Sequence, residues 1–468
     1  MLQIQEQVKK ILAKLQQAGY EAYLVGGCVR DLIMANPPAG GPKDWDIATN
    51  ALPEQVKVLF KKSFYNNQFG TVTVLPTKTE ITTFRKEAKY TDKRHPDKIE
   101  FTDSLEEDLK RRDFTINAIA FNGKKIINPT KDLEKKLIRT VGNPEDRFSE
   151  DALRLMRAVR FAVQLDFKIE EKTEKAIKKY HNLLKFVAQE RIRDEFVKII
   201  QSNSPDQGVL MLKKLKLLQY IIPELEIGIG VIQNKHHIYT VFEHSLLSLK
   251  YSRTGLALRL AALLHDIAKP HVKEGEGSDA TFYNHDFLSA QWAIRILRRL
   301  RFSRETITKI VVLIRNHMFL SDPDRITEAG VRRLIRRVGP ENMRDLINLR
   351  IADRLGSGVP KARPYRLRYF EYLINKVSKD PISVKMLKIN GEDVMNTLKI
   401  RPCPKIGLLL KVLLNEVLDD PSKNNNEYLK KRLIELNEFV ETELKQKSRE
   451  VIEKKEEIEL AEKKKFRV

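Results

Sequence analysis

Apolar residues Leu2, Val8, Ile11, Leu12 and Leu15 recur on one side of a 3.6-residue period, which predicts an amphipathic helix over residues 1–17. After Gly19 a short apolar run at 22–25 reads as a strand and ends in Gly26-Gly27. Further strand-like runs stand at 45–48, 71–75, 80–84 and 98–101. From about Ser149 the period turns helical and stays so: Leu153, Met156, Val159, Phe161 and Val163 open it, and residues 210–218 continue it. Pro223, Gly228 and Gly230 punctuate a boundary near residue 230. A second helical block holds seven of the nine histidines, from His236 to His317. Pro360, Pro364 and Pro381 mark another break before a third helical unit over 382–436. The last thirty or so residues, dominated by Glu and Lys, read as one exposed charged helix. The pattern predicts an α+β chain, a mixed-sheet head followed by all-α domains, divided as 1–140, 141–230, 231–375 and 376–468.

Charge narrows the partners. Lys and Arg number 86 against 63 Asp and Glu, a formal net charge of +23 with a pI near 9.7. A surplus of that size favours a polyanion, because neutralising phosphates releases counterions and speeds encounter. The basic residues are spread along the chain rather than gathered beside an anchor, which argues against a membrane surface. The most apolar stretch, 255–264, is interrupted by Arg259 and is too short to span a bilayer. The N-terminal stretch does not read as a signal peptide. Only Cys28 and Cys403 are present, so a disulfide framework and a thiolate metal site are both excluded and a cytoplasmic location is expected.

Asp44-Trp45-Asp46 is the pattern with most chemistry in it. Side chains two apart on a strand share a face, so the two carboxylates can hold two hard cations such as Mg2+. Such a pair activates an attacking hydroxyl and neutralises a leaving pyrophosphate. Upstream, the strand at 22–25 runs into Gly26-Gly27, where backbone can approach a triphosphate closely with Arg30 as a charge partner. Gly26-Gly27-x-Val29-Arg30-Asp31 followed by Lys43-Asp44-x-Asp46-Ile47-Ala48-Thr49 resembles the signature of class II tRNA nucleotidyltransferases and the related bacterial poly(A) polymerases. The resemblance continues in order. Thr83-Phe84-Arg85-x-Glu87-x-x-Tyr90-x-Asp92-x-Arg94-x-Pro96 is similar to that family's flexible loop, and Arg111-Arg112-Asp113-Phe114-Thr115-x-Asn117-Ala118 to its ribose- and phosphate-contacting motif. Arg139-x-x-Gly142-x-Pro144-x-x-Arg147-Phe148 resembles its hinge between head and neck, Glu150-Asp151-x-x-Arg154 its base-reading motif, and Glu190-Arg191-Ile192-x-x-Glu195 its neck helix. The link from Leu32 to Lys43 is a few residues longer than usual, an insertion a surface loop can absorb.

The resemblance implies a polymerase-β-like nucleotidyltransferase head at 1–140, a helical neck with the base-reading motif at 141–230, and transfer catalysed by Asp44 and Asp46. Nucleotide would be bound by Gly26, Gly27, Arg30, Arg112 and Asp113. On one helix, Asp151 and Arg154 would share a face. The carboxylate accepts from the exocyclic amine of C or A, and the guanidinium donates to the ring nitrogen beside it. Glu150 would hold Arg154 in place, and Arg157 and Arg160 continue the basic face toward the triphosphate or the RNA end.

His244, His265-Asp266 and Asp353 match the ordered ligands of HD-domain metal phosphohydrolases, with His285 and His317 spaced as the extra ligands of two-metal members. Imidazole and carboxylate suit Mn, Ni, Co, Fe or Mg, so 231–375 is expected to be an HD domain with a second, phosphohydrolase activity. Leu387-x-Ile389-Asn390-Gly391-Glu392-Asp393 and Arg401-Pro402-x-Pro404-Lys405-Ile406-Gly407 resemble the tRNA-binding C-terminal region of bacterial CCA-adding enzymes, with Lys405 and Lys411 as RNA-binding candidates. The expected activity is template-independent addition of CCA to tRNA from CTP and ATP. A poly(A) polymerase, an A-adding enzyme, and an HD phosphohydrolase that grips RNA with a silent head remain as rival readings; the intact 85–96 loop motif speaks against an enzyme limited to CC. Oligomeric state is not readable.

Overall fold

The structure is a computed structural model that describes residues 2–34, 42, 44–66, 70–88, 98–234, 238–359, 361–378, 380–444 and 446. Lys43, most of the 32–43 link, residues 89–97 of the predicted loop motif, His236, His237 and the charged C-terminal stretch lie outside the described residues. The chain forms two compact units, Met1–Glu226 with Arg299–Arg301, and Ile227–Arg298 with Phe302–Val468.

The first unit opens with helix α1 (Glu6–Gln17), strand β1 (Ala22–Val25), the short α2 (Gly27–Ile33), β2 (Asp46–Thr49) and α3 (Pro53–Leu59). Strands β3 (Ser63–Asn66), β4 (Thr71–Val74), β5 (Thr79–Thr83), β6 (Arg85–Ala88) and β7 (Lys98–Phe101) precede α4 (Leu105–Lys110), β8 (Ala120–Phe121) and β9 (Ile126–Ile127). Seven strands form one mixed sheet in the order β3-β4-β5-β2-β1-β8-β9, in which β2 and β5 are parallel and the other neighbours antiparallel. The predicted strand at 98–101 pairs instead with β6 in a separate hairpin.

Period-two alternation covers both faces of the sheet. Leu24, Ile47, Val72 and Ile81 join Val8, Ile11, Leu12, Leu15 and Val56 in one core. The predicted stripe of α1 is therefore the face it buries, with Leu2 partly buried against it. Val25, Ala48, Phe84, Leu109 and Ala120 form a smaller cluster on the other face. Helices α5 (Pro144–Glu150), α6 (Arg154–Leu165), α7 (Glu171–Tyr180), α8 (Gln189–Ile200), α9 (Pro205–Lys214) and α10 (Pro223–Glu226) complete this unit.

The second unit is helical apart from one two-residue hairpin. It contains α11 (Val241–Tyr251), α12 (Leu256–Leu264), α13 (His285–Arg299), α14 (Arg304–Asn316), α15 (Glu328–Val338), α16 (Met343–Gly356) and α17 (Tyr365–Val377). Its last helices, α18 (Gly391–Leu398), α19 (Pro404–Asp419) and α20 (Asn426–Asn437), share a leucine-rich core of their own. No described helix is long and apolar enough to cross a membrane.

Helices α11 and α16 cross where Gly356 meets Ser248: a Cβ on Gly356 would lie 2.8 Å from the Ser248 backbone nitrogen. Backbone cannot swing aside as a side chain can, so Gly356→Ala must push the two helices apart. We expect it to destabilise this unit by about 1–3 kcal/mol; an unchanged denaturation midpoint would show that the crossing is not tight.

Candidate active site and metal centre

In the head, Trp45 sorts the two aspartates. Its indole is 4% exposed and packs in the larger core with Ile47. Asp46 opens β2 and lies on the opposite face with Ala48, while Asp44, just ahead of the strand, is exposed. Gly26 adopts φ +75°, and a Cβ there would meet the Arg112 guanidinium at 3.0 Å and Asp46 Oδ2 at 3.9 Å. Both the backbone angle and the close approach require glycine. The Gly26 amide itself donates to the Ile119 carbonyl at 3.1 Å, so of the expected glycine pair only Gly27, the first residue of α2, keeps its amide at the helix start. The Asp46 carboxyl is pushed up to about 6 by burial and by the negative charges of Glu80 and Asp44, with Arg112 pulling the other way. Glu80 was not singled out from the sequence. It faces Asp46 directly in the β2–β5 register, and only that non-local pairing reveals it. A half-buried carboxylate beside two others is an environment that fits a bound cation.

A hydrogen-bonded chain ties this face to the helices that follow. Arg30 binds Asp31 at 2.7 Å and donates to Asn117 Oδ1 at 2.8 Å, and Asn117 donates to Asp113 at 3.1 Å. The other Asp113 oxygen accepts from Arg157 Nε at 2.7 Å. Burial would raise the Asp113 carboxyl, but the Arg157 charge and the Asn117 hydrogen bond hold it well below the usual carboxylate range. Arg30, Arg157 and Arg160 all stand over the Phe161 ring, at 5.4, 5.4 and 4.1 Å from its centroid. Arg160 is itself buried against Glu195 of α8 at 3.1 Å, so it serves the interior.

The base-reading pair does not share a helix as expected. Helix α5 ends at Glu150, Asp151 is extended (φ −136°, ψ 103°), and α6 begins at Arg154. Asp151 accepts a hydrogen bond from Leu153 N at 3.0 Å, which draws its side chain onto the break. Arg191 of α8 then grips its two oxygens at 3.0 and 3.3 Å. Arg154 donates to Glu150 at 2.6 Å and to the Arg147 and Arg111 carbonyls at 3.2 and 3.1 Å. Both groups are fixed by partners, yet Asp151 keeps acceptor capacity and Arg154 two N–H donors.

The second constellation comes together from five helices. His244 lies on α11, His265-Asp266 closes α12, His285 opens α13, His317 follows α14 and Asp353 sits on α16. All six are buried and form two groups sharing Asp266: His244, His265, Asp266 and Asp353, and Asp266, His285 and His317. Asp266 Oδ2 lies 3.1 Å from His244 Nε2 and 3.3 Å from His265 Nε2, while Oδ1 lies 3.3 Å from His285 Nε2 and 3.6 Å from His317 Nε2. The Nδ1 atoms of His265, His285 and His317 face the Ala262, Phe282 and Ile314 carbonyls at 2.7–2.9 Å. A carbonyl only accepts, so Nδ1 carries the proton and Nε2 points its lone pair inward when the ring is neutral. Asp266 Oδ1 is buried without a hydrogen-bond donor, and the donor set fits a pair of cations bridged by Asp266. Burial alone would raise Asp266; the positive charges of His265 and Lys269 hold it well below its ordinary value. Lys269, 2.6 Å from Asp266 and held by Gln233 at 2.7 Å, was missed in the sequence although it stands three residues after Asp266 on the same turn. Of the RNA-binding candidates, Lys405 donates to the Asn437 carbonyl at 2.8 Å and so ties α19 to the end of α20. Lys411 is exposed on α19.

Fold and site together define a chain with a nucleotidyltransferase-type head and an HD-type helical centre. Family models agree: the poly A polymerase head domain matches residues 22–139, a probable RNA- and SrmB-binding site of polymerase A residues 166–227, and the HD domain residues 234–356. The chain thus carries a poly A polymerase head domain, a segment like the RNA-binding site of that polymerase, and an HD domain. It is 52% identical over 217 residues to a CCA-adding enzyme of Ligilactobacillus salivarius, covering 45% of this chain and 53% of that protein. A CCA-adding enzyme of Lactobacillus delbrueckii subsp. bulgaricus is also 52% identical, over 43% of this chain and 52% of the relative. The chain thus spans about half the length of the curated relatives it matches. The crystal structure of the Bacillus stearothermophilus CCA-adding enzyme in complex with CTP superposes with a TM-score of 0.70 and 28% identity, covering 93% of this chain and 98% of that one.

The Asp46 shift has a measurable sign. Its folded value, about 6, lies above its ordinary 3.8, so the folded state binds the extra proton and stability falls as pH rises from about 4 to about 6. In a metal chelator at pH 7.5, Asp46→Asn should therefore be more stable than wild type, by up to about 3 kcal/mol. The advantage should vanish below about pH 4. Equal stability at both pH values would contradict the burial of this carboxylate.

Proposed function

We propose that this chain adds CCA to the 3′ ends of tRNA from CTP and ATP, without a template. The observation that carries the reading is the meeting of Asp46, Gly26 and Arg112 at one face of the head sheet, with Glu80 beside them. It is supported by the CTP-bound relative and by the names of the curated relatives. On this reading residues 1–140 are the transferase head, 141–230 the neck that reads the base, 231–375 the HD domain and 376–468 an RNA-binding region.

Two Mg2+ ions held by Asp44 and Asp46 would polarise the RNA 3′ hydroxyl and neutralise the leaving pyrophosphate. Arg112, already pinned by Asp108 at 3.1 Å, presents its guanidinium to the triphosphate over the bare backbone of Gly26. Gly27 and Arg30 extend that cradle, and Asp113 contacts the ribose while Arg157 holds it. Asp151 accepts from the exocyclic amine that C and A share, and Arg154 donates to the adjacent ring nitrogen. G and U present the opposite pattern. Arg191 and Glu150 keep the two groups in register. The buried HD cluster is read as a second, phosphohydrolase centre: His244, His265, Asp266, His285, His317 and Asp353 would hold Mg2+ or a transition metal, which would supply Lewis-acid activation of water.

Purified protein given tRNA lacking its 3′ end should add CC from CTP and then A when ATP is supplied. ATP-only tailing of any RNA would indicate a poly(A) polymerase, addition of A alone to tRNA ending in CC an A-adding enzyme, and no incorporation with intact phosphohydrolysis a silent head. Asp46→Ala should lower incorporation by about 10³-fold or more, since several kcal/mol of charge stabilisation are lost. Arg154→Ala should cut discrimination between C or A and G or U by roughly 10–100-fold, and full selectivity in that variant would refute the base-reading role. For the HD centre, Asp266→Ala should remove all bound metal and His317→Ala only one ion of two, as read by elemental analysis.

A further inference from the structure

Helix α17 lies outside the segment whose sequence resembles an RNA-binding region, yet one of its faces is built unlike the rest of the surface. Leu367, Phe370, Leu373 and Val377 bury the inner side. On the outer side Tyr365, Tyr369 and Tyr372 follow one another at helical spacing. Their rings form a near-parallel ladder, with centroids 6.1 Å apart at each step and interplanar angles of 25° and 31°. Tyr365 is 62% exposed and Tyr372 57%. With Tyr369 half-buried between them, the two outer rings stay open to water and leave apolar ring faces uncovered among the described residues.

The charges around the ladder say what would cover it. Residues 360–376 contain five Lys or Arg and a single Glu. Arg368, three residues after Tyr365 and four before Tyr372, stands in the middle of the ladder and has no ion pair among the described residues. Arg366 and Lys376 flank it, paired with Asp322 at 3.5 Å and with Glu328. These are exposed contacts that a phosphate can replace at little cost. Ring faces at regular spacing interleaved with guanidinium groups are the arrangement on which unpaired bases stack while the cations follow the backbone. A protein partner would find the same rings but no use for the surplus positive charge.

We propose that the Tyr365–Tyr369–Tyr372 face of α17, with Arg368 at its centre, is a stacking platform for unpaired nucleotides of the RNA acceptor. This rests on the proposed function only in taking RNA as the partner. The platform holds RNA by its bases without reading their sequence, since every base offers a π face.

The test titrates full-length protein with a fluorescent 12-nucleotide single-stranded RNA, the same sequence as a duplex, and a tRNA transcript. Tyr365→Ala/Tyr372→Ala should weaken single-strand binding by roughly tenfold or more and leave duplex binding and the salt dependence unchanged. The double Phe variant should retain wild-type affinity, because stacking needs the ring and not the hydroxyl. Arg368→Gln should lower the slope of log affinity against log salt by about 0.7. In nucleotide addition the double Ala variant should raise KM for RNA at unchanged kcat. Equal loss on duplex and single strand, or unaltered binding by the double Ala variant, would overturn the platform. A drop in molecular mass in solution with RNA binding intact would overturn it in favour of a second copy of this chain. Binding is read without catalysis, so a chain that incorporates no nucleotide would sink the proposed function and leave this test standing.

Discussion

The head is organised by one steric fact about β2: a tryptophan buried between two aspartates. Burying an indole of this size against Ile47 and the α1–α3 side of the sheet contributes a few kcal/mol. Rotating the strand to hide the carboxylates instead would expose the ring and bury charge, so the register has a single outcome. Asp46 is thereby held on the face where β5 places Glu80 and where the bare Gly26 admits Arg112. The fold spends part of that burial energy on keeping a carboxylate where its ionised form is disfavoured, which is the condition under which a divalent cation binds with advantage.

The same face is coupled to the helices by groups that only work together. Arg30, Asn117, Asp113 and Arg157 form a continuous donor–acceptor chain, and Phe161 lies beneath three guanidinium groups that would otherwise repel one another. The ring face and the Asp113 and Glu195 carboxylates offset that repulsion; burial and the nearby Arg157 still pull the Arg160 guanidinium down to about 10. A buried network of this kind is costly unless every member is satisfied, so it fixes geometry more than it adds stability. Through it, the Gly26–Arg30 end of the head is tied to helix α6, which follows the break at Asp151.

How much of this the sequence disclosed depends on the range of the interactions. The α1 stripe and the strand at 22–25 are local patterns; the strand stands where the pattern placed it, and the helix ends as expected but begins at Glu6, so Leu2 precedes it. The six HD residues were named from the resemblance of their order to the ligand set of HD-domain proteins, and the fold brings all six together. Glu80 was not, since its meaning comes from pairing with Asp46 across 34 positions. The two-residue strands β8 and β9 are too short to show alternation. The helix expected to carry both Asp151 and Arg154 has good local propensity throughout. It is broken by a tertiary cause: Asp151 turns to bind Arg191 on α8, and no window of α5 and α6 contains that partner.

Electrostatics separates the two candidate centres more sharply than residue type does. In the head one carboxyl is raised, its neighbours Asp44 and Glu80 are exposed, and water can share the charge. In the HD cluster burial would raise both Asp266 and Asp353; the positive charges of His265 and Lys269 hold Asp266 well below its ordinary value, and hydrogen bonds from His244 and His265, with the Arg350 charge behind them, do the same for Asp353. His265 is driven up to about 10 by those carboxylates in spite of its burial, so a proton does there what a cation would do better. Carboxylates that draw this much donor and positive character from the protein make a setting that would favour a divalent cation, and such an ion would tie together the five helices that contribute the cluster.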